Sequence, residues 1–142
     1  MNEQSDDRMK IIKQYAEGPE LLEKALSNLT ESQLDLIPSD SGWTIRQIAN
    51  HIVDGDDIWK VGIKAALGCP DVGFSLEWYW RKPQVEWSDL WAYTSRDLSL
   101  ALSLCKANRA HIVDLIQRIP DAWKLSIRIQ WPHQSEGRIS VG

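Results

Sequence analysis

The sequence predicts an all-α fold, an up-and-down bundle of the four-helix type with three long helices within its 142 residues. Three observations predict it. Apolar residues recur at spacings of three and four in three long stretches, which is the period of one helix face. Proline and glycine bound those stretches, Gly18-Pro19 excepted. Only one segment alternates with period two, and a lone extended segment makes no convincing sheet.

The first helix runs from about Asp6 to Asn28, with Ile12, Tyr15, Pro19, Leu22, Leu26 and Leu29 on one stripe. Proline lacks an amide hydrogen and crowds the preceding turn, so a kink or two helical pieces are expected at Gly18-Pro19. Pro38 to Gly42 reads as a loop. In the second helix Thr44 is the expected N-cap, and Ile45, Ile48, Ile52, Trp59, Ile63 and Ala66 fall within about 60° of one another. Gly68-Cys69-Pro70 ends it. Residues 69–86 form a long connection, and its aromatic residues Phe74, Trp78, Tyr79 and Trp80 predict packing against the body.

The third helix is expected from about Ser88 to Ile119, on the seam Thr94, Leu98, Ala101, Cys105, Asn108, Ile112, Leu115 and Ile119. Pro120 ends it. Trp123, Leu125, Ile127, Ile129 and Trp131 then read as a half-buried extended segment, followed by a turn over 132–137. A fourth helical stripe is missing. The apolar surface this leaves predicts a homodimer.

Composition narrows the function classes. The length suits one domain, 1–142, and 43% hydrophobic with 25% charged residues is globular composition. A net charge of −4 and the lack of a Lys/Arg cluster speak against nucleic acid. No apolar run approaches the roughly 20 residues of a membrane span. The N-terminus does not resemble a secretory signal, and Cys69 and Cys105 fit no CxxC motif, so a reducing, cytoplasmic setting is expected. Eight tryptophans against one phenylalanine predict a core of large amphipathic rings.

The residues with chemical potential gather on the second helix. His51 lies at the edge of the apolar stripe, Asp54 follows three residues on, and Asp56 falls near the stripe centre. A buried carboxylate there needs an ion pair, a metal or water. Gly55 and Gly62 leave room on the His51 side. Histidine, carboxylate and space inside a bundle outline a metal site, or else Asp56 faces a solvent crevice and bonds an indole N–H. His111 reads as a flank residue of the third helix and His133 as an exposed turn residue.

The run Gly42-Trp43-Thr44-Ile45-Arg46-Gln47-Ile48-Ala49-Asn50-His51-Ile52-Val53-Asp54 resembles the signature of the DinB-like superfamily, a Trp-Ser/Thr-Ile/Leu start before a helix with His-Ile/Leu-x-Asp. Tyr15 to Leu22, Leu34 to Pro38, and Pro120-Asp121-Ala122-Trp123 through Gly142 resemble its flanking parts. The resemblance implies a four-helix bundle, often dimeric, with a divalent nickel, zinc or manganese ion held by three histidines. His51 matches the first of these. Asp54 and Asp56 would then orient it or accept a proton. The His-x-x-x-His pair of the last helix has no counterpart here. A truncated product, or a short member completed by a partner chain, is therefore expected to be inactive or unmetallated alone. The activity implied is that of a hydrolase or a low-molecular-weight thiol transferase. The alternative is a non-catalytic dimeric scaffold or small-molecule-binding module working through the aromatic loop Phe74 to Trp87.

Overall fold

Thr30 and Thr44 each start a helix in the same way. The threonine hydroxyl accepts the amide of the residue three positions on, and the glutamine there returns its side-chain oxygen to the threonine amide. These capping boxes open α2 (Glu31–Leu34) and α3 (Ile45–Gly68), which follow α1 (Glu3–Leu26). The computed structural model describes residues 3–38, 42–132 and 136–141. After α3 come β1 (Gly73–Phe74), α4 (Glu77–Trp80), α5 (Gln84–Leu90) and α6 (Leu98–Arg118). A 3-10 turn at Ala122–Lys124 leads into β2 (Ser126–Gln130) and β3 (Glu136–Ser140).

The expected bundle is present. α6 packs against both α1 and α3, and the third-helix seam is buried at Leu98, Ala101, Cys105, Asn108 and Ile112. Val53 of α3 meets Ala101 and Cys105 in the core, with Leu22 of α1 against them. Small residues dominate this contact because close helix approach leaves little space. Among the described residues no helix is long and apolar enough to cross a membrane.

Four expectations change. First, α1 is one continuous helix through Gly18-Pro19, for a reason given below. Second, the third helix does not begin at Ser88. α5 ends at Leu90, Ala92 takes a left-handed φ of 51°, and Asp97 caps α6 by accepting the Ser99 amide. Thr94, the first residue of the expected seam, lies exposed in this break, and the buried seam begins at Leu98. Third, the extended segment is part of a sheet of order β1-β2-β3, with β1 parallel and β3 antiparallel to β2. Ile127 pairs with Ile139, and Ile129 with both Phe74 and Gly137. The expected turn over 132–137 overlaps the start of β3, whose weak alternation conceals it. Fourth, Ile52 is exposed and Asn50 is buried on α3. α3 meets helices on one side and the sheet and aromatic excursion on others, so its apolar residues are not confined to one stripe.

The aromatic excursion is packed, as expected. Tyr79 stacks on Trp87 and Trp91, and the Trp87 indole donates to the Tyr79 carbonyl at 2.8 Å. Gln47 Nε2 on α3 donates to buried Ser88 Oγ at 2.9 Å, which fixes α5 to the bundle.

Candidate functional site

The Thr44 cap sets the start of α3 and so places His51 two turns along it. The imidazole packs edge-on to Trp43, with ring centroids 5.1 Å apart, and faces Tyr93 at 6.5 Å. Its Nδ1 is buried and has no hydrogen-bond partner among the described residues. Burial pushes the His51 pKa below the ordinary 6.5, against the pull of Asp54. The ring is therefore neutral at pH 7 and keeps a free lone pair.

Asp54 is held in a fork: Arg96 Nη1 donates to Oδ2 at 2.6 Å and Nη2 to Oδ1 at 3.1 Å. The Arg96 guanidinium also lies over the Tyr93 ring, 5.6 Å from its centroid. Tyr93 is fully buried, and its carbonyl accepts Asn50 Nδ2 at 3.2 Å. Thus α3 and the segment before α6 are joined at the level of His51. An open hollow of about 480 Å³ begins here, lined by Asp54, Asp57, Ile58, Trp91, Arg96 and Leu104. A second, of about 380 Å³, shares Asp57, Ile58 and Trp91 and continues to Phe74 and Trp78. The space expected beside Gly62 is taken, because a Cβ there would meet Phe74 at 3.2 Å and Ile127 at 3.4 Å, while Gly55 has open space.

Asp56 turns to the α1 side, away from this hollow. Its side chain is 5% exposed, near the stripe centre as expected, and its partner is a guanidinium rather than an indole. Arg109 Nε donates to Asp56 Oδ1 at 2.8 Å, while Oδ2 is buried with no partner among the described residues. Arg109 Nη1 donates to the Tyr15 carbonyl at 3.1 Å, and the guanidinium lies 4.6 Å from the Tyr15 ring centroid. Tyr15 O is the carbonyl that residue 19 of a helix would normally bond, and proline cannot. Arg109 supplies the missing donor, so α1 passes through Pro19 unbroken. The sequence reading missed Arg96 and Arg109. For Arg109 a signal existed: glycine next to proline inside a helix announces a notch and an unbonded carbonyl. For Arg96 there was none.

All three tyrosines titrate high. Burial, followed by Asp56, pushes Tyr15 up to about 12; burial and then Asp54 raise Tyr79 and Tyr93. A folded pKa above the unfolded 10.0 means that this stability is complete below that pH and is lost as pH rises past it. Ultraviolet titration of the folded protein should show the tyrosinate steps displaced above pH 10.0, with that of Tyr15 at about 12. A full step at pH 10.0 would contradict this packing.

Among the described residues no group of three or more His, Cys, Asp or Glu is placed to hold a metal ion. His111 is exposed on α6, and His133 and Gly142 lie outside the described residues. His51 is one good donor without companions, so the described residues do not by themselves fit a tightly held divalent ion.

The family profile of the DinB superfamily matches residues 14–141. The chain is 26% identical over 131 residues, 92% of it and 71% of the relative, to "Putative metal-dependent hydrolase OB0782" of Oceanobacillus iheyensis. It is 38% identical over 52 residues to "Putative metal-dependent hydrolase YfiT" of Bacillus subtilis, 37% of this chain and 28% of that one. The solved structure of YfiT, described as "a probable metal-dependent hydrolase with an unusual four-helix bundle topology", superposes with a TM-score of 0.77 at 24% identity. That match covers 99% of this chain and 75% of YfiT, and at this identity it speaks to the fold.

Proposed function

The chain belongs to the DinB superfamily, and from that premise we propose that it serves a metal-dependent hydrolase centre, with His51 as one metal ligand and the hollow beside Asp54 and Arg96 as the substrate's place. The observation that carries this reading is the His51 imidazole: neutral, anchored between Trp43 and Tyr93, with a buried nitrogen that no group among the described residues satisfies. Such a nitrogen costs free energy unless a ligand takes it up. The remaining ligands come from outside the described residues. Hydrolysis is preferred to thiol transfer because the named relatives are called hydrolases.

On this reading Arg96 has a defined task. It fixes Asp54, three residues along α3 from His51, by two hydrogen bonds and keeps that wall of the hollow rigid. The Trp91 face supplies an apolar surface for the body of a small substrate.

Metal analysis tests the proposal. The untagged 142-residue protein should carry far less than one equivalent of nickel, zinc or manganese. The weak uptake that titration detects should vanish in His51→Ala, with the fold retained by circular dichroism. Metal uptake unchanged by His51→Ala would remove His51 from the centre. Near-stoichiometric metal lost in that variant would mean that the further ligands are already at hand, across a dimer or in the residues around His133.

A further inference from the structure

His51, Asp54, Ile58 and Val61 follow on α3 at spacings of three, four and three, so they share one face of the helix. The hollow beside Asp54 runs along this face. Its near lobe, of about 480 Å³, has Asp54 and Arg96 in its wall, and its far lobe, of about 380 Å³, reaches Val61, Phe74, Leu76 and Trp78. Asp54 and Val61 are seven residues apart, a helical rise of about 10 Å. Polarity falls along that length. Each charged residue of the lining is already matched. Arg96 spends Nη1 and Nη2 on Asp54, and Asp57 Oδ1 accepts Lys60 Nζ at 2.6 Å and Asn108 Nδ2 at 2.8 Å. Past Asp57 the wall of the far lobe is apolar but for Ser75, whose hydroxyl is turned to the Glu77 amide at 3.2 Å. Trp78 and Trp91, both in that wall, are tilted by 47° with centroids 6.5 Å apart instead of stacking on each other. Trp78 is left 50% exposed and Val61 54%.

We propose that the hollow takes an uncharged, amphipathic molecule, its ring-bearing tail in the far lobe against Trp78 and Trp91 and its polar head at the Asp54 end. This rests on the reading above only in calling that molecule the substrate. A carboxylate or phosphate would have to draw Arg96 from Asp54, and an ammonium would have to draw Asp57 from Lys60 and Asn108. Either exchange breaks charge-assisted bonds and leaves one of the protein's own charges without its partner. A neutral head meets both pairs as they stand, and its N–H or O–H uses the acceptor capacity the carboxylates still have. A flat ring gains offset or edge contact with two indoles at once. The selectivity comes from what a charged competitor would disrupt. On the hydrolase reading the head carries the bond to be cut, because Asp54 is the end of the hollow nearer His51 along α3.

Nuclear magnetic resonance on the full chain labelled with nitrogen-15, titrated with three probes of one shape, tests it: 3-phenylpropanamide, 3-phenylpropanoate and 3-phenylpropylammonium. The indole N–H signals of Trp78 and Trp91, assigned from Trp78→Phe and Trp91→Phe, should shift saturably with the amide. That of Trp123, which lies against α1 and α6, should stay in place. The amide should bind at least about tenfold more tightly than either ion, since each ion must break a pair to enter. Val61→Glu should weaken the amide by about tenfold, because it sets an unpaired charge where the tail sits. Trp78→Ala should weaken it as well, and if that change loosens the ring cluster, Val61→Glu at its exposed position keeps the fold and reads the same lobe. Leu21→Glu, 66% exposed on α1, should leave binding as it is. The titration needs no metal. Its failure leaves the His51 reading standing, and failure of the metal test leaves this binding site standing. No saturable shift up to the solubility limit of the amide overturns the proposal. So does an ion that binds as tightly as the amide, or binding that Val61→Glu leaves unchanged.

Discussion

Asp56→Ala should lower unfolding stability by about 3–5 kcal/mol, the range for removing one partner of a buried ion pair. Asp56 is 5% exposed and its only described hydrogen-bond partner is Arg109. Removing the carboxylate leaves the guanidinium against the Tyr15 ring, holding one carbonyl and deprived of its counter-charge. The loss spreads over three helices, because Arg109 joins α6 to α1 and α3 at once. Asp56→Leu combined with Arg109→Met should cost less than either single change. The charge then leaves the core altogether, although the Tyr15 carbonyl loses its donor. Urea unfolding of the singles and the double forms the cycle. A cost below about 0.5 kcal/mol for Asp56→Ala would mean that the pair is solvated rather than buried.

Gly18→Ala should destabilise by about 1–3 kcal/mol, as overpacking of a filled site does. The sign is what makes this informative. In a helix interior alanine is normally better than glycine by about 1 kcal/mol. Here the new Cβ would stand 2.1 Å from Arg109 Nη1, well inside contact. A free arginine end could swing away at little cost. This one is held by Asp56, the Tyr15 carbonyl and the Tyr15 ring together. Alanine therefore expels the guanidinium and breaks all three contacts, or forces α1 away from α6. Gly18→Ala in the Asp56→Leu, Arg109→Met background should lose the penalty and recover the ordinary preference for alanine. If Gly18→Ala stabilises the parent protein, the notch does not exist as described.

Local chemistry made much of the chain legible. The Thr44 cap, the stop at Gly68-Cys69-Pro70 and the five buried residues of the α6 seam follow from propensity and period, and the structure has them there. The break before α6 was hidden because a left-handed Ala92 carries no composition signal, unlike a glycine. β3 was hidden because a short strand is made by its partner. Gly137 and Ser140 have little preference of their own until β2 offers its edge.

The candidate site divides along the same line. His51 and Asp54 could be set side by side from sequence, since both ride on one helix three residues apart, and the buried setting of Asp56 follows from the apolar period around it. What binds these carboxylates could not be read. Arg96 lies 42 residues from Asp54 and Arg109 lies 53 from Asp56. Those pairings exist because α6 returns alongside α3, and helix packing, not local spacing, decides which flank meets which. Sequence by itself determined the helical class, the family's motif and the residues with chemical potential, because helix periodicity and capping act over a few residues. Tertiary structure alone decided that Arg96 meets Asp54 and Arg109 meets Asp56, and that Pro19 sits within an unbroken helix. Each of these depends on a through-space neighbour, and ion pairing, burial and packing are properties of that neighbour's position.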